Sequence, residues 1–233
     1  MAASIDGLRR PMIEVVAVNV GTPEVLFSGP DGERVYSSIA KRAVPFGTAL
    51  WLSSGNLAGD AQADLAVHGG PDKAVYAYPS EHLAGWTEEL GGPLGAAAFG
   101  ENLSTLGVVE VDVRIGDVWK WGDAFLQVSQ PRWPCFKLAL HRRRRDVQQR
   151  MRTSGRTGWY LRVVQPGEVV AGSAIEISHR DPAGLTVEDA HLAMGDRHLD
   201  HRARTEALAE HDALAEQWRE PLQARLDEST ARS

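Results

Sequence analysis

A single cysteine, Cys135, occurs in the 233 residues. That excludes an intramolecular disulfide, a zinc site built from several cysteines and an iron–sulfur cluster held by four. No stretch approaches the roughly 20 apolar residues that a membrane-spanning helix needs. The first twenty residues contain no secretory apolar core, because Glu14 and Asn19 interrupt their short apolar run. Neither a GxGxxG fingerprint nor a Walker loop is present, which removes two common nucleotide cradles. Internal repeats and low-complexity segments are also missing. These absences predict a soluble, cytoplasmic protein, of a length suited to one large domain or one domain with a small appendage.

The charge is unevenly spread. The net value is −6, yet residues 132–156 hold nine Lys and Arg (Arg132, Lys137, Arg142 to Arg145, Arg150, Arg152 and Arg156) against Asp146 alone. A local basic field in an acidic chain points to a specific anionic ligand rather than to nucleic acid. Cys135 lies inside this window, in Gln130-Pro-Arg-Trp-Pro-Cys-Phe-Lys-Leu138. Pro134 favours extended backbone before it, and the flanking cations Arg132 and Lys137 favour the thiolate, the form that attacks electrophiles and binds metals. The bland alternative is a small buried hydrophobe, the fate of most lone cysteines.

Patterning divides the chain into a flexible tail (1–11), a strand-rich domain (12–180) and a helical appendage (184–228). In the middle part, Ile13–Val20, Val44–Leu52, Glu110–Ile115, Val118–Trp121, Ala124–Val128, Trp159–Val164 and Ala174–Ile177 read as strands. Asp31-Gly32, Gly116-Asp117, Gly122-Asp123 and Pro166-Gly167 read as turns. Val75–Tyr78 reads as a short strand or a helix start. Many short strands with glycine turns predict a barrel or sandwich. Leu83, Trp86 and Leu90 mark a helix over Pro79–Leu90, and a polar helix is expected from after Cys135 to about Met151. Beyond Asp181-Pro182 the residues turn to Ala, Leu, Glu, His and Arg. Thr186-Val-Glu-Asp189 reads as a capping box, and Pro221 as able to begin a short helix.

Four loops carry polar chemistry next to glycine or proline. They are Val67-His68-Gly69-Gly70-Pro71-Asp72-Lys73, Phe99-Gly100-Glu101-Asn102-Leu-Ser-Thr105, the Cys135 loop, and Ser154-Gly-Arg156-Thr157-Gly-Trp-Tyr160. Glycine lets backbone amides approach a ligand closely. Together with a lone cysteine in a cationic setting, the loops point to one site for a phosphate-bearing ligand. A Cys135 dyad with His68 or His141 is a formal alternative for thiol hydrolysis, without a protease signature around it. His198 and His201 read as surface residues of a polar helix.

In order and spacing, HGGPDK (68–73), FGENLSTLG (99–107), IGDVWKWGDAFLQVSQPRWPCFKL (115–138) and SGRTGWYLRVVQPGEV (154–169) resemble MOSC-domain proteins of the YiiM type. MOSC denotes the molybdenum cofactor sulfurase C-terminal domain. The likeness runs from about residue 20 to 178, and the tail beginning TVEDA resembles the three-helix domain of this type. One departure is Gly172-Ser173, where family members often carry Gly-Asp. The resemblance implies a MOSC-type β-barrel, mainly β with α, followed by a small three-helix domain. It also implies a molybdenum cofactor, a pyranopterin dithiolene with a phosphate tail, with Cys135 as thiolate ligand to the metal. The activity implied is reduction of N-hydroxylated compounds, such as hydroxylaminopurines, with electrons from a separate protein. The implied cofactor-binding residues are His68, Gly69, Gly70, Asp72, Lys73, Phe99, Gly100, Asn102, Arg132, Lys137, Arg156 and Thr157, with Glu101 as general acid. A carrier of persulfide sulfur or of the cofactor itself, using Cys135, is the alternative, and a phosphate-ligand or nucleic-acid binding module a third reading.

Overall fold

The structure is a computed structural model, described here for residues 12–63 and 69–231. Twelve strands are present: β1 (Met12–Val20), β2 (Glu24–Ser28), β3 (Arg34–Ser37), β4 (Arg42–Ala43), β5 (Ala49–Leu52), β6 (Val75–Pro79), β7 (Leu103–Leu106), β8 (Val118–Trp121), β9 (Ala124–Pro131), β10 (Trp159–Gln165), β11 (Gly167–Val170) and β12 (Ile175–His179). Six helices accompany them: α1 (Leu83–Leu90), α2 (Phe136–Arg142), α3 (Val147–Ser154), α4 (Val187–Gly195), α5 (Arg202–Ala209) and α6 (Glu216–Ala231). The tail expected over 1–11 lies outside the described residues.

Seven strands close into a barrel in the order β12-β8-β9-β10-β6-β7-β1, sealed where β1 pairs with β12 at Ile13↔Ile175. Closure leaves no open edge between these strands. In β1, Ile13 and Val15 point inward while Met12 and Glu14 face out. A register shift between Val15 and Ala17 then brings Val18 and Asn19 inside in succession. β6 and β7 run parallel, which requires a crossover, and α1 lies on that crossover.

Two apolar clusters form. The first fills the barrel with Trp119, Trp121, Trp159, Leu126 and Ile115, and continues without a break into Val187, Leu208, Leu214, Trp218, Leu222 and Leu226 of the C-terminal segment. The second lies under α1, α2 and α3, and contains Ile39, Tyr76, Tyr78, Trp86, Phe99, Leu138, Val147 and Met151.

Four sequence expectations need correction. Glu110–Ile115 is not a strand; its only pairing is an isolated bridge from Arg114 to Thr186. Acidic side chains take over the backbone there, with Asp112 accepting from Val109 N at 3.0 Å and Asp117 from Arg114 N at 3.1 Å. Val44–Leu52 is strand only from Ala49, because Gly47 at φ 82° turns the chain. The helix expected to Met151 is two helices, broken at Arg143, which adopts left-handed φ 52°. Pro221 lies within α6, on its exposed side, rather than at its start. The helix instead follows Ala215, whose N–H is tied to Ser129 O at 2.9 Å. The Thr186 capping box is present as read, with both reciprocal bonds at 3.0 Å.

Candidate functional site

Where the second cluster meets the barrel mouth, a cavity of about 630 Å³ opens to solvent, its mouth included. Cys135 lies on its wall. β9 ends at Pro131, and extended backbone carries the chain through Pro134 to Cys135, which is half-buried and starts α2. Leu138 N donates to Cys135 O at 3.0 Å, and Lys137 lines the cavity on the same first turn.

Arg132, 6% exposed, is the buried cation of the wall. Its guanidinium sits 5.1 Å from the Tyr76 ring centroid, and Nη1 lies 3.3 Å from Met151 Sδ. Burial works against its charge, but Tyr76, Tyr160 and Cys135 outweigh that and hold its pKa above the ordinary value. The rings of Tyr76 and Tyr160 lie 5.2 Å apart and line the same wall. Burial pushes both phenols up, so each stays protonated. Opposite them, Ser37, Ser38, Ile39 and Lys41 of the β3–β4 connection complete the lining. The Lys41 side chain, 8% exposed, is paired with Asp60. Burial lowers its pKa, and Asp60 offsets part of the shift.

Of the candidate residues, Cys135, Lys73, Phe99, Gly100, Asn102, Arg132 and Lys137 share this lining. Gly100, at φ 81°, sits so close to Ile39 that a Cβ would come within 2.5 Å of Cγ1. Asn102 is fully engaged by protein. It accepts from Tyr76 N at 3.1 Å and donates to Asn19 O at 3.1 Å and Asp60 Oδ2 at 2.9 Å. Glu101 stands behind the lining, wholly buried, accepting from Phe99 N and Ser104 Oγ at 3.0 Å each. Burial raises its pKa against those hydrogen bonds.

The other candidates lie outside the lining. Asp72 is bound to Arg162 at 2.7 Å. Gly69 and Gly70 lead into the short 3₁₀ turn Pro71–Lys73, with Gly70 at φ 95°. The Arg156 side chain is paired with Glu89 at 2.5 Å and lies 4.1 Å above the Trp86 ring. Its carbonyl and that of Thr157 accept from Tyr78 and Tyr76 hydroxyls at 3.3 and 2.7 Å, so this loop braces the tyrosines from behind. His68 lies outside the described residues. Sequence reasoning missed Ser38, Ile39, Lys41, Asp60 and Tyr76, and took in Tyr160 only as the end of the Ser154–Tyr160 loop, without a role. The first five carry no local motif; only the burial of the Lys41–Asp60 pair marks that segment, and burial is a tertiary property.

The donor set suits an anionic ligand that carries a soft metal. Cys135 offers sulfur, while Lys73, Lys137 and Arg132 line the space with positive charge beside the ion-paired Lys41 and Asp60. The Ser38 hydroxyl is buried on this wall with no hydrogen-bond partner among the described residues, a group that a ligand would satisfy.

Comparison with known proteins agrees with this geometry. The MOSC domain model matches residues 64–176. Protein YiiM of Escherichia coli is 39% identical over 204 residues, covering 84% of this chain and 86% of that protein. A reductase of Gibberella moniliformis is 35% identical over 135 residues, which span 56% of this chain and 24% of the reductase. The crystal structure of YiiM from Geobacillus stearothermophilus superposes with a TM-score of 0.76 at 34% identity, covering 92% of this chain and 99% of that one. Barrel, motifs and relatives coincide, and the chain belongs to the MOSC-domain family of molybdenum-cofactor-associated proteins, in its YiiM branch.

Proposed function

We propose that this protein is a molybdenum-cofactor-dependent reductase that converts N-hydroxylated compounds, such as hydroxylaminopurines, to amines. The observation that carries the reading is Cys135 at the wall of a cavity ringed by buried and half-buried cations. When bound, the cofactor would supply the redox centre that removes oxygen from the substrate nitrogen. Among the described residues no three His, Cys, Asp or Glu side chains converge. One protein sulfur from Cys135 therefore suits a metal that arrives with its own dithiolene ligands. Lys41, Lys73, Lys137 and Arg132 would hold the anionic tail, and the Ser38 hydroxyl would hydrogen-bond to the ligand. Tyr76, Tyr160 and Phe99 would form the apolar wall that excludes water.

Reduction of an N-hydroxyl to an amine consumes two electrons and two protons and releases water. The single cysteine rules out a four-cysteine iron–sulfur centre in this chain, so a separate redox protein is proposed as donor. Glu101 accepts two hydrogen bonds from its own loop. We assign it to holding the Phe99–Gly100 wall in place rather than to direct contact with substrate.

The test compares wild type with Cys135→Ser, made in a host that synthesises the cofactor. Near-stoichiometric molybdenum and hydroxylaminopurine reduction are expected in the wild type, and both fall to background in the variant while the thermal melt stays close to wild type. Metal and turnover retained by the variant would overturn the thiolate assignment.

A further inference from the structure

We infer that Gln217, on the first turn of α6, is a positioning residue of the cavity, and that the C-terminal helices are thereby part of the site. The inference rests on the anion-holding reading above. Lys73 Nζ donates to Gln217 Oε1 at 2.9 Å. An ammonium only donates, so the oxygen of the Gln217 amide must face Lys73 and its nitrogen must point away. That nitrogen meets Gln130 Oε1, which fixes the second amide in turn, with Gln130 Nε2 donating to Pro131 O at 3.3 Å. Donation thus runs in one direction, from the cation on the cavity wall to the barrel backbone at the end of β9.

Its base is firm although Gln217 itself is exposed. Ala215 N donates to Ser129 O at 2.9 Å, and Ser129 Oγ donates to Asp72 O at 2.6 Å, next to Lys73. Trp218, 3% exposed, packs edge-on against Trp133 at 5.9 Å, two residues before Cys135. The first turn of α6 therefore touches both the Lys73 segment and the Cys135 loop. A lysine side chain has several rotamers, and a fixed acceptor narrows them before the anion arrives.

The experiment measures inorganic phosphate binding to the full chain by calorimetry at low ionic strength, for wild type, Lys73→Met, Gln217→Leu and the double variant. Lys73→Met is expected to weaken binding about tenfold and Gln217→Leu about threefold. The double variant should be no weaker than Lys73→Met alone, a non-additivity that a merely structural role would not give. Normal binding by Gln217→Leu beside weakened binding by Lys73→Met would overturn the inference and leave the anion site standing. Normal binding by Lys73→Met, or no binding by wild type, would overturn the anion reading itself. Should Gln217→Leu fail to fold, Gln217→Asn serves instead, since its shorter amide cannot span to Lys73.

Discussion

Glu101 is a wholly buried carboxyl behind the cavity lining. Its folded pKa lies above its unfolded value, so the native state binds the extra proton. Its contribution to stability is therefore most favourable below the unfolded pKa and is lost as pH rises through the folded one. Glu101→Gln keeps the shape and removes the charge. Thermal melts between pH 4.5 and 8 should show the variant gaining on wild type as pH rises; a difference independent of pH would contradict the assignment. Cys135 and its flanking cations were legible in the sequence because they are contiguous. Lys41, Tyr76 and Tyr160 were not, because three separate strands and loops bring them to Cys135. Arg156 and Thr157 read, like Arg132, as part of the cofactor's surroundings, yet they brace the tyrosines from outside the lining.

Among the elements, the break between α2 and α3 is the feature that composition hid. Residues 136–151 are helix-compatible throughout, without a glycine or proline to separate them. Arg143 ends α2 in the left-handed region, with its N–H bonded to Leu140 O at 3.2 Å. That conformation strains any residue with a Cβ. Arg143→Gly should therefore stabilise the fold by about 0.5–1 kcal/mol, read from chemical denaturation, with molybdenum content unchanged. A loss of stability would mean that the arginine side chain outweighs its backbone strain. The turn has a purpose in packing: it lets α3 fold back so that Val147 and Met151 join the cluster behind the cavity, with Met151 reaching Arg132. Strands with alternating burial, such as β1 and β9, were readable. The short β7 and β11 were not, because they are held by partners distant in sequence rather than by their own pattern.

Seen whole, one of the two apolar clusters runs through both of the parts that the composition of the chain suggests. The change of residue types near Asp181-Pro182 is real, but Val187, Leu208, Trp218 and Leu222 join the same buried cluster as Trp119 and Ile115. Trp218→Ala should therefore cost about 3–5 kcal/mol. It should lower one cooperative transition followed by barrel tryptophan fluorescence; a separate early transition confined to the helices would show two independent units. The closure of β1 on β12 has a consequence for how the protein comes to exist. Ile13 is synthesised long before its partner Ile175. Until then β1 has one barrel neighbour fewer, and folding must await contacts between remote ends of the polymer, which slows it. The cavity draws on segments from Ser37 to Tyr160, and its Lys73 partner on α6 is made later still. A cavity drawn from such remote segments is thus a late product of folding, complete only once the barrel has closed and α6 has docked.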